Sequence, residues 1–324
     1  MEHLNHPPSS TVVFVVAPLH PTKLLPRGNT MVQNVTLLGT GLMGSAFANL
    51  YMKNGVNVTV WNRTPRRCAP LVKKGAREAS SIGAALEASS VVLVVLLDYN
   101  VFRTVMSGQE HLIAGRDFVN FMTGSAKDAT QLQAYIRANG GHYLDAAIEA
   151  YPDDIGHEST LIHYSGSQEV WLRHEILLRM PGGASRWIGE LVGAANVLDA
   201  AMAGAFYNTS IGAFLEAVDF AKKAGVGIEQ LEGCLNYFLD LLKTELTAVI
   251  KHHKSDDYRT DQATLSIYVA AVKSWRQTML DSGQRASLFT ANLHCMEMAV
   301  AEGRGDLGIA ATYANHIQPD SQEH

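Results

Sequence analysis

The spacing of apolar and polar positions changes character partway along this chain. From Val35, short apolar runs alternate with longer amphipathic stretches. The runs are VTLLG (35–39), VNVTVW (56–61), VVLVVLL (91–97), DFVNFMTG (117–124), HYLDAAI (142–148), STLIHYSG (159–166) and SRWIG (185–189). Such runs, bounded by glycine and polar turns, read as strands, and 91–97 is apolar enough to be covered on both faces. Between them, SAFANLYMKNG (45–55) and AKDATQLQAYIRANGG (126–141) carry helical spacing. Strands separated by helix-length segments predict an α/β domain with a doubly wound, mostly parallel sheet.

After Gly193 the strand signal stops. Residues 194–224 read as one proline-free helical stretch, closed by Lys222, Lys223 and Gly225. Further helical runs are expected over 228–253, 261–281, 285–303 and 306–316. The predicted organisation is an α/β domain over 31–192, a long interdomain helix with an all-α domain over 193–316, and a tail over 317–324. Residues 1–30 hold five prolines and one short apolar run. They read as a disordered leader, with a weak organellar transit peptide as the lesser alternative.

Composition narrows the class. Of 324 residues, 47% are hydrophobic and 18% charged, as in soluble globular proteins. A net charge of −5 without a dense basic run argues against nucleic-acid binding. No apolar run is long enough to span a bilayer, so no membrane partner is expected. Cys68, Cys234 and Cys295 are widely spaced and odd in number, which fits free thiols in a reducing, cytoplasmic setting. KHHK (251–254) carries adjacent histidines that point different ways on a helix, so no metal site is expected.

The first candidate chemistry is GTGLMG, at Gly39, Gly41, Leu42, Met43 and Gly44, between an apolar run and an amphipathic stretch. This strand–glycine–helix context is that of a dinucleotide pyrophosphate. Gly39 permits the tight turn, Gly41 the approach of phosphate, and Gly44 close helix–strand packing. Free N–H groups at the helix start favour the anion. The second run ends at Asn62, Arg63 and Thr64 where an NAD protein usually has a carboxylate, with Arg66 and Arg67 following. Guanidinium groups grip a ribose 2′-phosphate that a carboxylate would repel, so NADPH is the expected cofactor. For Arg66 a solvated basic loop is the alternative reading. The turns after Leu97 and Met122, including Thr123, should face this cofactor.

These domains and motifs resemble the β-hydroxyacid dehydrogenase superfamily, with two alterations. Asp145-Ala146-Ala147-Ile148-Glu149-Ala150 stands where those enzymes carry D-A-P-V-S-G, and Glu149 replaces a serine that holds a substrate carboxylate. Gly193 to Asp199 stands where they carry G-x-G-x-x-x-K, so the catalytic lysine position is Asp199. Two unit charges 4 Å apart interact by about 4 kcal/mol in a medium of dielectric about 20, so exchanging attraction for repulsion at a developing alkoxide costs several powers of ten in rate. The same carboxylate favours an iminium, or donates a proton to a nascent amine.

The departures are similar to the NADPH-dependent imine reductases and reductive aminases within that superfamily. IEAYPDDIG (148–156), YSGS (164–167) and LDAAMAGAFYN (198–208) carry the likeness. It implies a homodimer with interlocked helical domains, Asp199 as proton donor, and Tyr207 as its companion. Eight α-helical residues separate these two by about 12 Å and about 80°, so they would flank a substrate without bonding. Thr123 stands where fungal aminases have asparagine, and Tyr268 where glutamine is usual. With Glu149 and Tyr207 they are the expected substrate cleft. The substrate would be a small imine, or a ketone plus an amine. Two other readings stay open: a carbonyl reductase of the hydroxyacid dehydrogenase kind, and an inactive NADPH-binding dimerisation module.

Overall fold

The computed structural model describes residues 33–314. The leader expected over 1–30 and the tail over 317–324 lie outside the described residues. Eight strands occur: β1 (Asn34–Leu38), β2 (Asn57–Trp61), β3 (Arg77–Glu78), β4 (Val91–Val94), β5 (Asp117–Asn120), β6 (His142–Ile148), β7 (Ile162–Gly166) and β8 (Arg186–Trp187). They form one sheet in the order β3-β2-β1-β4-β5-β6-β7-β8. All neighbours are parallel except β6 and β7.

The helices are α1 (Leu42–Lys53), α2 (Ala69–Val72), α3 (Ile82–Glu87), α4 (Tyr99–Met106), α5 (Ala126–Ala138), α6 (Gln168–Arg179), α7 (Ala194–Asp199), α8 (Thr209–Lys223), α9 (Ile228–Ser255), α10 (Leu265–Asp281) and α11 (Ser287–Ala299). The chain divides into two compact units between Gly204 and Ala205. The first unit is a Rossmann-type α/β domain and the second is helical.

Strand alternation builds the two cores of the first unit. Val35, Leu37, Val91 and Leu93 point into one layer with Phe47 and Tyr51 of α1. Leu38, Val92 and Val94 point into the other with Phe102 of α4 and Phe118. All four residues of β4 are buried, as a central parallel strand requires. In the second unit, Leu265, Val269 and Val272 of α10 meet Leu293, Met296 and Ala299 of α11. Both sets recur every three or four residues, the spacing of one helix face.

The structure trims several expected elements. The run 91–97 is strand only to Val94, and 117–124 only to Asn120. β3 is two residues long, too short to leave an apolar signature. The expected helix over 306–316 is a 3-10 turn at Ile309–Tyr313, and its last two residues are not described. Residues 194–223 are helical, yet Ala200–Asn208 is π-helical.

Candidate active site

A cavity of about 580 Å³ lies along the carboxyl ends of β1, β2, β4, β5 and β6. Strand order reverses between β1 and β4, where open α/β sheets leave a crevice for ligands. The glycine loop forms one wall. Gly39 adopts φ 107°, and a Cβ there would lie 2.2 Å from the Val95 carbonyl oxygen. Its N–H donates to Trp61 O at 2.9 Å, which ties the loop to β2. A Cβ on Gly44 would come within 2.1 Å of Gly39 O, so the helix closes on the loop only because residue 44 is glycine. Gly41 differs: nothing lies within 4 Å of its missing Cβ. It caps α1 without a side-chain hydrogen bond, leaving the first-turn N–H groups for an anion.

Asn62, Arg63, Thr64 and Arg67 border the same cavity, whereas Arg66 does not. Asn62 Oδ1 accepts from Thr64 N–H at 2.9 Å and folds the turn after β2. Leu42, Met43, Leu97 and Thr123 also line it. Leu42 and Leu97 are 83% and 81% exposed, large apolar surfaces that a bound ligand would cover.

Helix α7 supplies the remaining wall. Gly193 begins it in the left-handed region at φ 86°, and a Cβ there would press on Ala126 at 2.8 Å. Ala195 N–H donates to Ser165 Oγ at 3.1 Å, and Asn196 Nδ2 donates to Gly124 O at 2.9 Å. These bonds fix α7 to β7 and to the loop after β5. Asn196 and Asp199 both face the cavity. Its titratable neighbours are Arg63, Arg67 and Asp199, so Asp199 is the only acid on its wall among the described residues. Burial pushes the Asp199 carboxyl above the usual carboxylate range.

Glu149 follows β6 and does not border the cavity. Its Oε1 lies 3.5 Å from Nδ1 of His163 on β7, and both atoms are buried without another partner among the described residues. His163 Nε2 faces Arg186 Nη2 at 3.4 Å. A guanidinium can only donate, so Nε2 accepts and the ring proton sits on Nδ1, aimed at Glu149. Burial and then the Arg186 charge lower His163 to about 4, so the ring is neutral at pH 7. Glu149 is raised, by burial first and by the charge of Asp199 second.

Behind the cavity lies a buried polar network. Tyr143 Oη donates to Asp145 Oδ1 at 2.7 Å, and Asn120 Nδ2 donates to the same oxygen at 2.9 Å. Burial outweighs the opposing hydrogen bonds from Asn120, Tyr143 and Tyr99, and Asp145 rises to about 6. Asn196 was not anticipated as a wall residue. Its one sequence signal is a carboxamide within GAANVL, three places before Asp199.

Tyr207 and Tyr268 belong to the helical unit. Tyr207 is half exposed within the π-helical stretch, so the α-helical rotation expected between it and Asp199 does not apply. Tyr268 packs against the Leu265–Val269 core.

Residues 34–189 match the NAD binding domain of 6-phosphogluconate dehydrogenase, and residues 192–316 match the C-terminal domain of NADPH-dependent reductive aminase-like proteins. The chain thus pairs a dinucleotide-binding domain of the 6-phosphogluconate dehydrogenase type with a reductive aminase-like C-terminal domain. An NADPH-dependent reductive aminase of Aspergillus oryzae is 27% identical over 285 residues, covering 87% of this chain and 96% of that protein. The imine reductase of Myxococcus stipitatus in complex with NADP+ is 27% identical, with a TM-score of 0.81 over 86% of this chain and 98% of that one. A reductive aminase of Aspergillus terreus in complex with NADPH and ethyl-5-oxohexanoate is 28% identical, with a TM-score of 0.80 over 87% of this chain and 99% of that one.

Proposed function

We propose that this protein is an NADPH-dependent imine reductase, reducing C=N bonds to amines, with reductive amination of a ketone by an amine as an extension. The observation that carries the reading is the lone, half-buried acid of the cavity wall, Asp199, in a cavity otherwise suited to a phosphorylated dinucleotide. NADPH suits the residues present. Gly41 leaves open space beside an uncapped helix start, and two arginines stand where a carboxylate would exclude a 2′-phosphate.

When bound, NADPH supplies the hydride. The chain's own task is to manage charge at the substrate nitrogen. Ionised Asp199 attracts an iminium, and protonated Asp199 donates to the amine nitrogen as it forms. Its raised carboxyl keeps the donor form available nearer neutral pH than an exposed aspartate would. Ionised Asp199 attracts an iminium and repels a developing alkoxide, and that difference in charge favours imine over carbonyl reduction. Thr123 is proposed to shape the substrate end of the cavity, and Glu149 to act from beside it; for Tyr207 and Tyr268, on the helical unit, the proposed substrate roles rest on the resemblance alone.

The working form is proposed to be a homodimer. None of the 28 residues of α9 is buried, and Tyr237, Phe238, Leu239, Leu241 and Leu242 stand exposed on it. Apolar surface of this extent usually marks an interface.

The test is NADPH oxidation with a small cyclic imine such as 2-methylpyrroline, in wild type and Asp199→Ala. The expected result is turnover that falls about 100-fold or more in the variant while NADPH affinity is unchanged. Imine turnover indifferent to the substitution would remove Asp199 from this role. Normal NADPH binding with no turnover of any imine would defeat the proposed reaction.

A further inference from the structure

Asn196 is a closely held polar group on the cavity wall. It is 6% exposed and sits one helical turn before Asp199. The orientation of its carboxamide is fixed by its neighbours. Gly124 O can only accept, so Nδ2 must face it, at 2.9 Å. Nδ2 also reaches Tyr99 Oη at 3.4 Å, and Tyr99 Oη is held from its other side by Asn120 Nδ2 at 2.8 Å. Both donors of Asn196 are thus committed to the protein. Oδ1 is buried and has no partner among the described residues. A buried acceptor left in this way calls for a donor from outside the chain, an ordered water or a ligand.

Topology says which end of a dinucleotide that donor belongs to. The arginines follow β2, and Gly124 follows β5. These strands are three intervals apart in the sheet, about 14 Å at the usual strand spacing of about 4.8 Å. A cofactor whose 2′-phosphate meets Arg63 and Arg67 therefore extends its nicotinamide toward β5 and α7. The nicotinamide carboxamide carries two N–H donors.

We propose that Asn196 Oδ1 accepts a hydrogen bond from the nicotinamide carboxamide and fixes the rotation of the ring beside Asp199. This rests on the NADPH reading above, and the test separates the two. Dissociation constants of NADP+ and its 3-acetylpyridine analogue, in which a methyl ketone replaces the carboxamide and no N–H remains, are measured by calorimetry for wild type and Asn196→Ala. Wild type should bind NADP+ about five- to tenfold more tightly than the analogue, the range of one hydrogen bond. Asn196→Ala should bind the two within about twofold. A variant that loses affinity for both ligands in equal measure, keeping the wild-type ratio, would reduce Asn196 to an anchor of the β5–α5 loop and overturn the proposal. Wild type that binds both equally would overturn it without any variant, so a misfolded Asn196→Ala does not protect it; Asn196→Ser then provides the same comparison. Wild type that binds neither would overturn the cofactor reading and this proposal together.

Discussion

Arg63 and Arg67 show how much of the candidate site is written in single residues. Both border the cavity, and neither forms a salt bridge with any described residue. Their cost to the apo chain is small, and their proposed value lies in the 2′-phosphate. Arg63→Ala with Arg67→Ala should weaken NADPH by about 10- to 100-fold, the range of charge-assisted hydrogen bonds, while NADH changes little. Fluorescence titration with both cofactors measures the ratio. Equal losses for NADPH and NADH would assign the arginines a structural role. These residues were legible because a single position, the end of the second strand, is read by charge alone. Glu149 was less so: its neighbour His163 lies fourteen places away, and only the antiparallel pairing of Ala147 with His163 brings them together.

At the scale of elements, that pairing of β6 with β7, extended by β8, holds a histidine neutral. The folded-state pKa of His163 is about 4, below its unfolded value of 6.5. The folded chain therefore resists the proton. The stability tied to neutral His163 is present above pH 6.5 and is lost as pH falls toward 4. His163→Asn keeps an N–H donor near Glu149 but does not titrate. Urea unfolding at pH 7, 5.5 and 4.5 should show the wild type losing stability faster than this variant, and parallel curves would refute the assignment. Helix α7 shows what an element pattern hides. Periodicity predicted one helix from 194 to 224, and helical residues run through Lys223, yet the hydrogen-bond register shifts to π between Ala200 and Asn208. Helical spacing of apolar residues does not distinguish the two, because the difference lies in which carbonyl each N–H reaches.

For the whole molecule, the exposed apolar face of α9 carries the remaining prediction. Light scattering should return twice the chain mass of 35.2 kDa, and Leu239→Asp should move the population toward monomer. A monomeric wild type at micromolar concentration would refute the dimer. The sequence by itself determined what depends on local order: the alternation of strands and helices, the glycine turn, the absence of a carboxylate after β2, and an acid at the lysine position of the superfamily. Period and steric allowance act over a few residues, so they survive in one dimension. Only the tertiary structure decided where β4 and β5 stop and their last apolar residues become cavity wall. It alone turned Glu149 toward His163 and committed both donors of Asn196 to Gly124 and Tyr99, which lie 72 and 97 places away. Hydrogen bonds are satisfied by whatever the fold brings within about 3 Å, and no local pattern records that proximity.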